Sequence, residues 1–265
     1  MNILIANVGN VRSNELKALA LALNKKHKVT IACMAVEDNY RGQAFSYCGK
    51  PVRVNNILYH KGKTKLETIM AYEFHANPAD AVSIMLGEIM GNKRPDVVIC
   101  GINNGVHMGQ DIFSSSNIGM AMESAYFGVP AIAVGIENVV GGNKDEDIAT
   151  AVKFIQKNIE KLSALKLPKH TFTNINIPKN PKGVKITRLG WVNAISQYDK
   201  ATDHKGGEYF WKKNVERKGE SPEGTDIYEF ESDQISITPV DYNATSHEEL
   251  KRYMRLQPNL FREEM

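Results

Sequence analysis

The stretch from Val97 to Asn117, VVICGINNGVHMGQDIFSSSN, narrows the possible folds more than any other part of the chain. A short apolar run, Val97 to Cys100, follows the Pro95-Asp96 turn and stops at a glycine, the pattern of a strand covered on both faces of a parallel sheet. Gly101, Gly105 and Gly109 then open backbone conformations that other residues avoid and let a ligand approach the main chain. Ser114, Ser115, Ser116 and Asn117 can each cap a helix over Ile118 to Phe127, whose N-terminal N–H groups attract anions. On these residues alone, an ordinary well-capped loop and a phosphate site are equally supported, because the spacing matches neither a P-loop nor a dinucleotide fingerprint.

The chain around this stretch alternates strand and helix patterns. Ile3 to Ala6 reads as a strand, and Glu15 to Lys25 as a helix with Leu16, Leu19, Ala20 and Leu23 on one stripe. Val29 to Cys33 is a second strand, followed by a polar segment from Glu37 to Gly49. Val52 to Tyr59 and Tyr72 to His75 have strand character, and Asn77-Pro78 opens a helix from Ala79 to Met90. Gly128-Val129-Pro130 is a turn before a buried strand, Ala131 to Gly135. The amphipathic helix Asp145 to Leu162 and the strand Phe172 to Ile177 close the series. Repeated β-then-α order predicts a Rossmann-like, doubly wound, mostly parallel α/β sheet over residues 1–180, with ligands outside the carboxyl ends of the strands.

From residue 181 to 265 the pattern changes. Val184 to Leu189, Glu208 to Trp211 and Gln234 to Pro239 read as strands, joined by the charged stretch Lys212 to Gly224. With so little apolar content the segment is expected to form a β-hairpin arm that either lies on the main domain or reaches another copy, with Tyr209, Phe210 and Trp211 as anchors, and a homodimer or tetramer with exchanged arms is expected. Ser246 to Arg255 opens with a Ser-x-x-Glu capping box and is expected to be a closing helix.

Bulk properties exclude some partners. Of 265 residues, 33 are basic and 30 acidic, a net charge of +3 that is too balanced for a surface binding a nucleic-acid polymer. The opening MNILIANVGN lacks the basic flank of a signal peptide and no run reaches membrane-spanning length, so a cytoplasmic protein without a membrane partner is expected. Cys33, Cys48 and Cys100 lack metal-site spacing and read as buried thiols.

Several blocks carry a family likeness. Gly101-Ile102-Asn103 with Gly105, Gly109 and Asp111, then Asn77-Pro78-Ala79-Asp80, Gly128 to Val134, Asn174 to Pro178, Thr187 to Gly190, Thr225-Asp226 and Ile235 to Pro239 occur in the order of the survival-protein SurE family. The chain resembles that family of metal-dependent 5'/3'-nucleotide phosphatases over nearly its whole length. The resemblance implies a Rossmann-like core, exchanged C-terminal arms, a divalent metal (Mg or Mn) and nucleoside monophosphate substrates. It also places Ser115 at the phosphate-contacting serine and Asn103 at a retained metal ligand.

The departures fall on the metal site. Where the family carries Asn-Asp-Asp-Gly after the first strand, this chain has Asn7-Val8-Gly9-Asn10, so both ligating carboxylates are replaced. An ungapped reading puts Asn39 at the family's ligating serine. Two amide oxygens, from Asn39 and Asn103, do little to offset the desolvation of a hard cation, so the metal is expected to be weakly bound or absent unless Glu37, Asp38, His107 or Asp111 supplies ligands. The Gly-Thr after the phosphate serine becomes Ser116-Asn117. Two functions follow as expectations: a nucleotidase with a degraded or rebuilt site using Asn7, Asn103 and His107, or a non-catalytic relative binding a nucleotide or other small phosphorylated ligand through Ser115, Ser116 and Asn117. His107, usually asparagine in the family, is the candidate for new chemistry as ligand or proton donor. His75 and Met108, Met120 and Met122 read as structural, and Gly141-Gly142 as a turn.

Overall fold

A computed structural model describes residues 1–37, 39–64, 67–137, 144–191, 197–213 and 221–260. Strand β1 (Asn2–Asn7) leads into helix α1 (Asn14–Asn24), whose first turn closes on the Ser13 hydroxyl, an acceptor for Leu16 N. Strands β2 (Lys28–Met34), β3 (Arg53–His60) and β4 (Ile69–His75) precede α2 (Pro78–Ile84). That helix starts with proline at its first position and Asn77 as N-cap, and loosens into a π-helical turn over Met85–Ile89. β5 (Val97–Asn104), α3 (Ser116–Tyr126), β6 (Ala131–Ile136), α4 (Lys144–Ser163) and β7 (Thr171–Ile177) follow in βα order. The remainder comprises β8 (Gly183–Ile186), β9 (Tyr198–Thr202), β10 (Glu208–Lys212), α5 (Asp226–Glu231), β11 (Gln234–Asp241) and α6 (His247–Leu260).

Nine strands form one sheet in the order β3-β4-β2-β1-β5-β6-β7-β11-β8. β1 pairs in parallel with both β2 and β5, so the chain builds outward on one side and then restarts on the other. The crevice outside the carboxyl ends of β1 and β5 is therefore the switch point at which such sheets bind ligands. Among the described residues, only β3–β4 and β7–β11 pair antiparallel within this sheet. Alternation along β1 builds two cores. Ile3 and Ile5 meet Leu16, Leu19 and Leu23 of α1 and Ile148, Ile155 and Ile159 of α4, while Leu4 and Ala6 meet Val82 and Met85 of the α2 segment and Ile118 and Met120 of α3. Each buried leucine or isoleucine contributes about 1.5–3 kcal/mol.

The C-terminal third departs from the sequence reading. Gln234–Asp241, expected in an arm, lies inside the sheet: β11 pairs antiparallel with β7 and parallel with β8. The backbone ladder satisfies its polar groups, and Ile235 joins the core on the α1–α4 face while Val240 joins the core on the α2–α3 face. Helix α5, which the sequence reading did not foresee, is capped by Thr225 and packs beside β11. The hairpin β9–β10 and helix α6 are what stand outside the sheet, with Tyr209, Phe210, Trp211, Leu250, Tyr253 and Met254 exposed. Cys33 and Cys100 are buried, and burial pushes the Cys33 thiol up to about 12. Cys48 is exposed, against expectation, because it sits in irregular chain between β2 and β3 with no sheet or helix to cover it. No helix among the described residues is long and apolar enough to cross a membrane.

Candidate functional site

The crevice has two banks. The first is the loop after β1. Asn7 is buried, with its Oδ1 accepting from Gly9 N at 2.7 Å and its Nδ2 donating to Ile102 O at 3.3 Å, so it ties the ends of β1 and β5 together. Val8 is 2% exposed and belongs to the apolar core on the α2–α3 face. Gly9 has no side chain, and a Cβ there would stand 2.9 Å from Asn7 Oδ1. Asn103, at the end of β5, donates through Nδ2 to Gly105 O at 3.3 Å. The glycine at 101 is required: φ is +128°, and a Cβ would lie 2.4 Å from Val134 O.

The second bank is the start of α3 and the chain wrapped around it. Ser115 is the N-cap, its Oγ accepting from Ile118 N at 3.3 Å, and Ser116 and Asn117 form the buried first turn. His107 is 4% exposed, with Nδ1 at 2.9 Å from Ser115 Oγ and Nε2 at 3.3 Å from Asn117 Nδ2. Its backbone is clamped from β7: His107 N donates to Asn176 Oδ1 at 2.7 Å, and His107 O accepts from Asn174 Nδ2 at 2.6 Å and Asn176 Nδ2 at 3.0 Å. Burial lowers the imidazole pKa to about 4, which keeps the ring neutral at pH 7. Further along the same loop, Gly109 N donates to Asp226 Oδ2 at 2.9 Å and Gly190 N to Asp226 Oδ1 at 2.6 Å, fastening the loop to α5. Burial raises the Asp226 pKa, and backbone hydrogen bonds from Gly109, Gly190 and Ile227 oppose the rise.

The polar segment after β2 lies on this bank. Asn39 O accepts from Ser116 N at 3.1 Å, Arg41 N donates to Ser116 Oγ at 2.9 Å, and Gly42 N donates to Ser114 O at 2.9 Å. Asn39 Nδ2 donates to Glu37 Oε1 at 2.7 Å, whereas Asn39 Oδ1 and Asn117 Oδ1 are enclosed without a hydrogen-bond partner. Tyr40 and Phe113 flank these contacts and are 82% and 68% exposed.

The structure thus brings His107, Ser115, Ser116, Asn117 and Asn39 together on one bank and Asn7 and Asn103 on the other. His75 lies on β4 with Nε2 at 3.3 Å from Asn55 Nδ2 of β3, Met108 packs with Ile227, and Met120 is core. Asp38 and Gly141-Gly142 lie outside the described residues. Arg41 and Gly42 were not singled out from sequence, and Asn174, Asn176 and Asp226 stood in family-like blocks without a role at the site. Asn174 and Asn176 carried a usable signal, since alternate positions in a strand share a face, and two amides there need a polar neighbour.

Comparison with known proteins agrees with this architecture. A family model described as "Survival protein SurE" matches residues 3–195. The chain is 33% identical over 250 residues to "5'-nucleotidase SurE" of Thermoanaerobacter sp. (strain X514), covering 93% of this chain and 94% of the relative. It is 29% identical over 252 residues to the protein of the same name in Syntrophobacter fumaroxidans, covering 94% and 96%. Among solved structures it is similar to the SurE protein of Aquifex aeolicus, with a TM-score of 0.77 and 25% identity over 97% of this chain and 100% of that one. With the switch-point crevice in place and matches spanning nearly the whole length, the chain belongs to the SurE family.

Proposed function

We propose that this chain is a SurE-like nucleotide phosphatase with a degraded metal site: it holds the phosphate of a nucleoside monophosphate against Ser115, Ser116 and Asn117 and hydrolyses it far more slowly than a carboxylate-bearing site would. The observation that carries this reading is the contrast within one crevice. The α3 bank retains a helix N-terminus ringed by hydroxyls and amides, whereas Val8 is buried in the apolar core and Gly9 has no side chain. The relatives named 5'-nucleotidase support a nucleoside monophosphate as the ligand.

The residues present do not fit a tightly held divalent ion. Among the described residues, no three His, Cys, Asp or Glu side chains converge on a point. Asn39 and Asn103 offer neutral oxygens, and Mg²⁺ or Mn²⁺ takes anionic ones by preference. One detail favours some residual affinity: Asn39 Oδ1 is enclosed without a partner, a free acceptor beside Ser116. The alternative reading, a binding relative with no turnover, differs only in rate.

A phosphate-release assay over a panel of nucleoside monophosphates, with Mg²⁺, Mn²⁺, Co²⁺ and Zn²⁺ in turn, tests the reading on the wild type and on Asn103→Ala. Slow, metal-dependent release that Asn103→Ala abolishes supports the degraded enzyme. Binding by calorimetry without release supports the relative that only binds. Fast release with no added metal refutes both. For assembly, the exposed aromatic hairpin and the apolar residues of α6 support a homodimer, and light scattering that finds a monomer at micromolar concentration refutes it.

A further inference from the structure

The imidazole of His107 touches no ligand-facing solvent, yet both of its nitrogens meet side chains of the α3 bank. Which ring nitrogen carries the proton is tied to the orientation of the Asn117 amide. With Nδ2 turned to the ring at 3.3 Å, a nitrogen that can only donate makes Nε2 the acceptor and leaves the proton on Nδ1. Oδ1, which is enclosed without a partner, would call for the opposite tautomer if it faced the ring. Nδ1–H then donates to Ser115 Oγ at 2.9 Å, and the same oxygen accepts from Ile118 N at 3.3 Å. Both lone pairs of Ser115 are engaged, and its own hydrogen has nowhere to go within the bank.

We propose that His107 is a positioning residue: held as the Nδ1–H tautomer, it occupies the acceptor side of Ser115 and thereby points the Ser115 hydroxyl hydrogen at a phosphate oxygen of the ligand. This rests on the phosphate-binding reading above and assigns His107 a role other than the expected ligand or proton donor. In the opposite tautomer the hydroxyl would donate into the ring and show its lone pairs to an anion, which repels it. Asn174 and Asn176 fix the backbone from which the ring projects by clamping His107 N and O. Gly135 leaves the ring its space, since a Cβ there would stand 3.2 Å from His107 Cδ2. Burial, which holds the ring neutral at pH 7, keeps Nε2 available as the acceptor.

The test combines a spectrum with a set of variants. In ¹⁵N-histidine-labelled protein, the His107 signals, identified by their loss in His107→Asn, are expected to show a protonated Nδ1 and an unprotonated Nε2. The reverse pattern overturns the inference without any variant having to bind ligand. For the variants the probe is inorganic phosphate, measured by calorimetry. An asparagine amide reaches the place of Nδ1 and a glutamine amide that of Nε2, so His107→Asn is expected to stay within about threefold of wild type. His107→Gln and His107→Phe are expected to lose about tenfold, the worth of a hydrogen bond to a charged group. Ser115→Ala is expected to lose as much, and adding His107→Phe to it to lose nothing further. Equal effects of the asparagine and glutamine variants, or additive losses in the double variant, overturn the inference while phosphate binding itself survives. Wild-type protein that takes up no phosphate overturns the ligand reading and the inference with it.

Discussion

The two banks of the crevice are built by opposite means. On the β1 bank the hydrogen bonds are few: Asn7 serves Gly9 and, across 95 residues, Ile102, Asn103 serves Gly105, and Val8 turns into the core. On the α3 bank, residues from four stretches meet: 39–42, His107, 114–117, and Asn174 and Asn176 of β7. The difference teaches that anion recognition and ion ligation are separable parts of one site. Recognition of a phosphate can be built from neutral donors that the fold holds in place, whereas a hard cation needs charged ligands that no amount of packing replaces.

The largest expected effect tests how tightly the α3 bank is packed. A Cβ on Gly119 would stand 2.0 Å from Gly42 O, a backbone atom, whereas one on Gly9 would stand 2.9 Å from the side-chain Oδ1 of Asn7 and in ordinary contact with Ser13. Gly119→Ala must therefore push the 39–43 segment off α3, at a cost of about 3 kcal/mol or more, against roughly 1 kcal/mol for Gly9→Ala. Scanning calorimetry should show a melting temperature roughly 6 °C or more lower in Gly119→Ala. Equal shifts in the two variants would break the comparison.

A similar magnitude is expected from pH. The folded pKa of His107 is depressed to about 4 from an ordinary 6.5, so between those values the unfolded chain binds a proton that the folded one does not. Stability from this group is complete above pH 6.5 and is lost as the pH falls toward 4, by about 3 kcal/mol if no other group responds. Urea titrations at pH 7 and pH 4.5 should show the loss in wild type and a smaller one in His107→Asn. An identical loss in both would assign the effect to other groups.

The opposite bank can be tested by putting charge back. Val8→Asp with Gly9→Asp places one carboxylate in an apolar core and the other against Asn7 Oδ1, so without metal the variant should lose about 2 kcal/mol of stability. Added Mn²⁺ should return part of that loss and raise phosphate release. A variant that folds and is stabilised by Mn²⁺ yet releases no phosphate would show that the α3 bank, with Ser116 and Asn117 in place of Gly-Thr, also limits turnover.

Much of this architecture was legible in the sequence, for identifiable reasons. The continuous apolar runs at Ile3, Val29, Val97 and Ala131 marked buried parallel strands, and Asn77-Pro78 and Ser115 marked helix starts by their own chemistry. The place of Gln234–Asp241 was hidden, because backbone ladders to β7 on one side and β8 on the other hold it in the sheet with few apolar side chains. On the site, Ser115 and Asn117 could be read from the cap pattern of one short stretch. The contacts of His107 with Asn174 and Asn176 span 67 and 69 residues of sequence, and no local spacing encodes them. The burial of His107 is not encoded locally either, since the residues that enclose it, Gly135 of β6 and Asn174 and Asn176 of β7, lie far along the chain.

The smallest expected effect concerns the outer edge of the α3 bank and would sharpen the comparison by showing how far recognition extends. Tyr40 stands between Asn39 and Arg41, both bonded to Ser116, and Phe113 precedes Ser114, which accepts from Gly42 N. Two large aromatic side chains this exposed beside a helix N-terminus offer apolar faces to whatever is attached to the bound phosphate. A nucleobase would use them by stacking, worth about 1 kcal/mol at such an open position. Tyr40→Ala and Phe113→Ala should each weaken a nucleoside monophosphate by about fivefold and leave inorganic phosphate and ribose 5-phosphate unchanged. If calorimetry finds all three ligands weakened alike, the aromatics support the 39–42 segment itself. If it finds none weakened, the base lies over the β1 bank, and the division of labour between the two banks is less sharp than their construction implies.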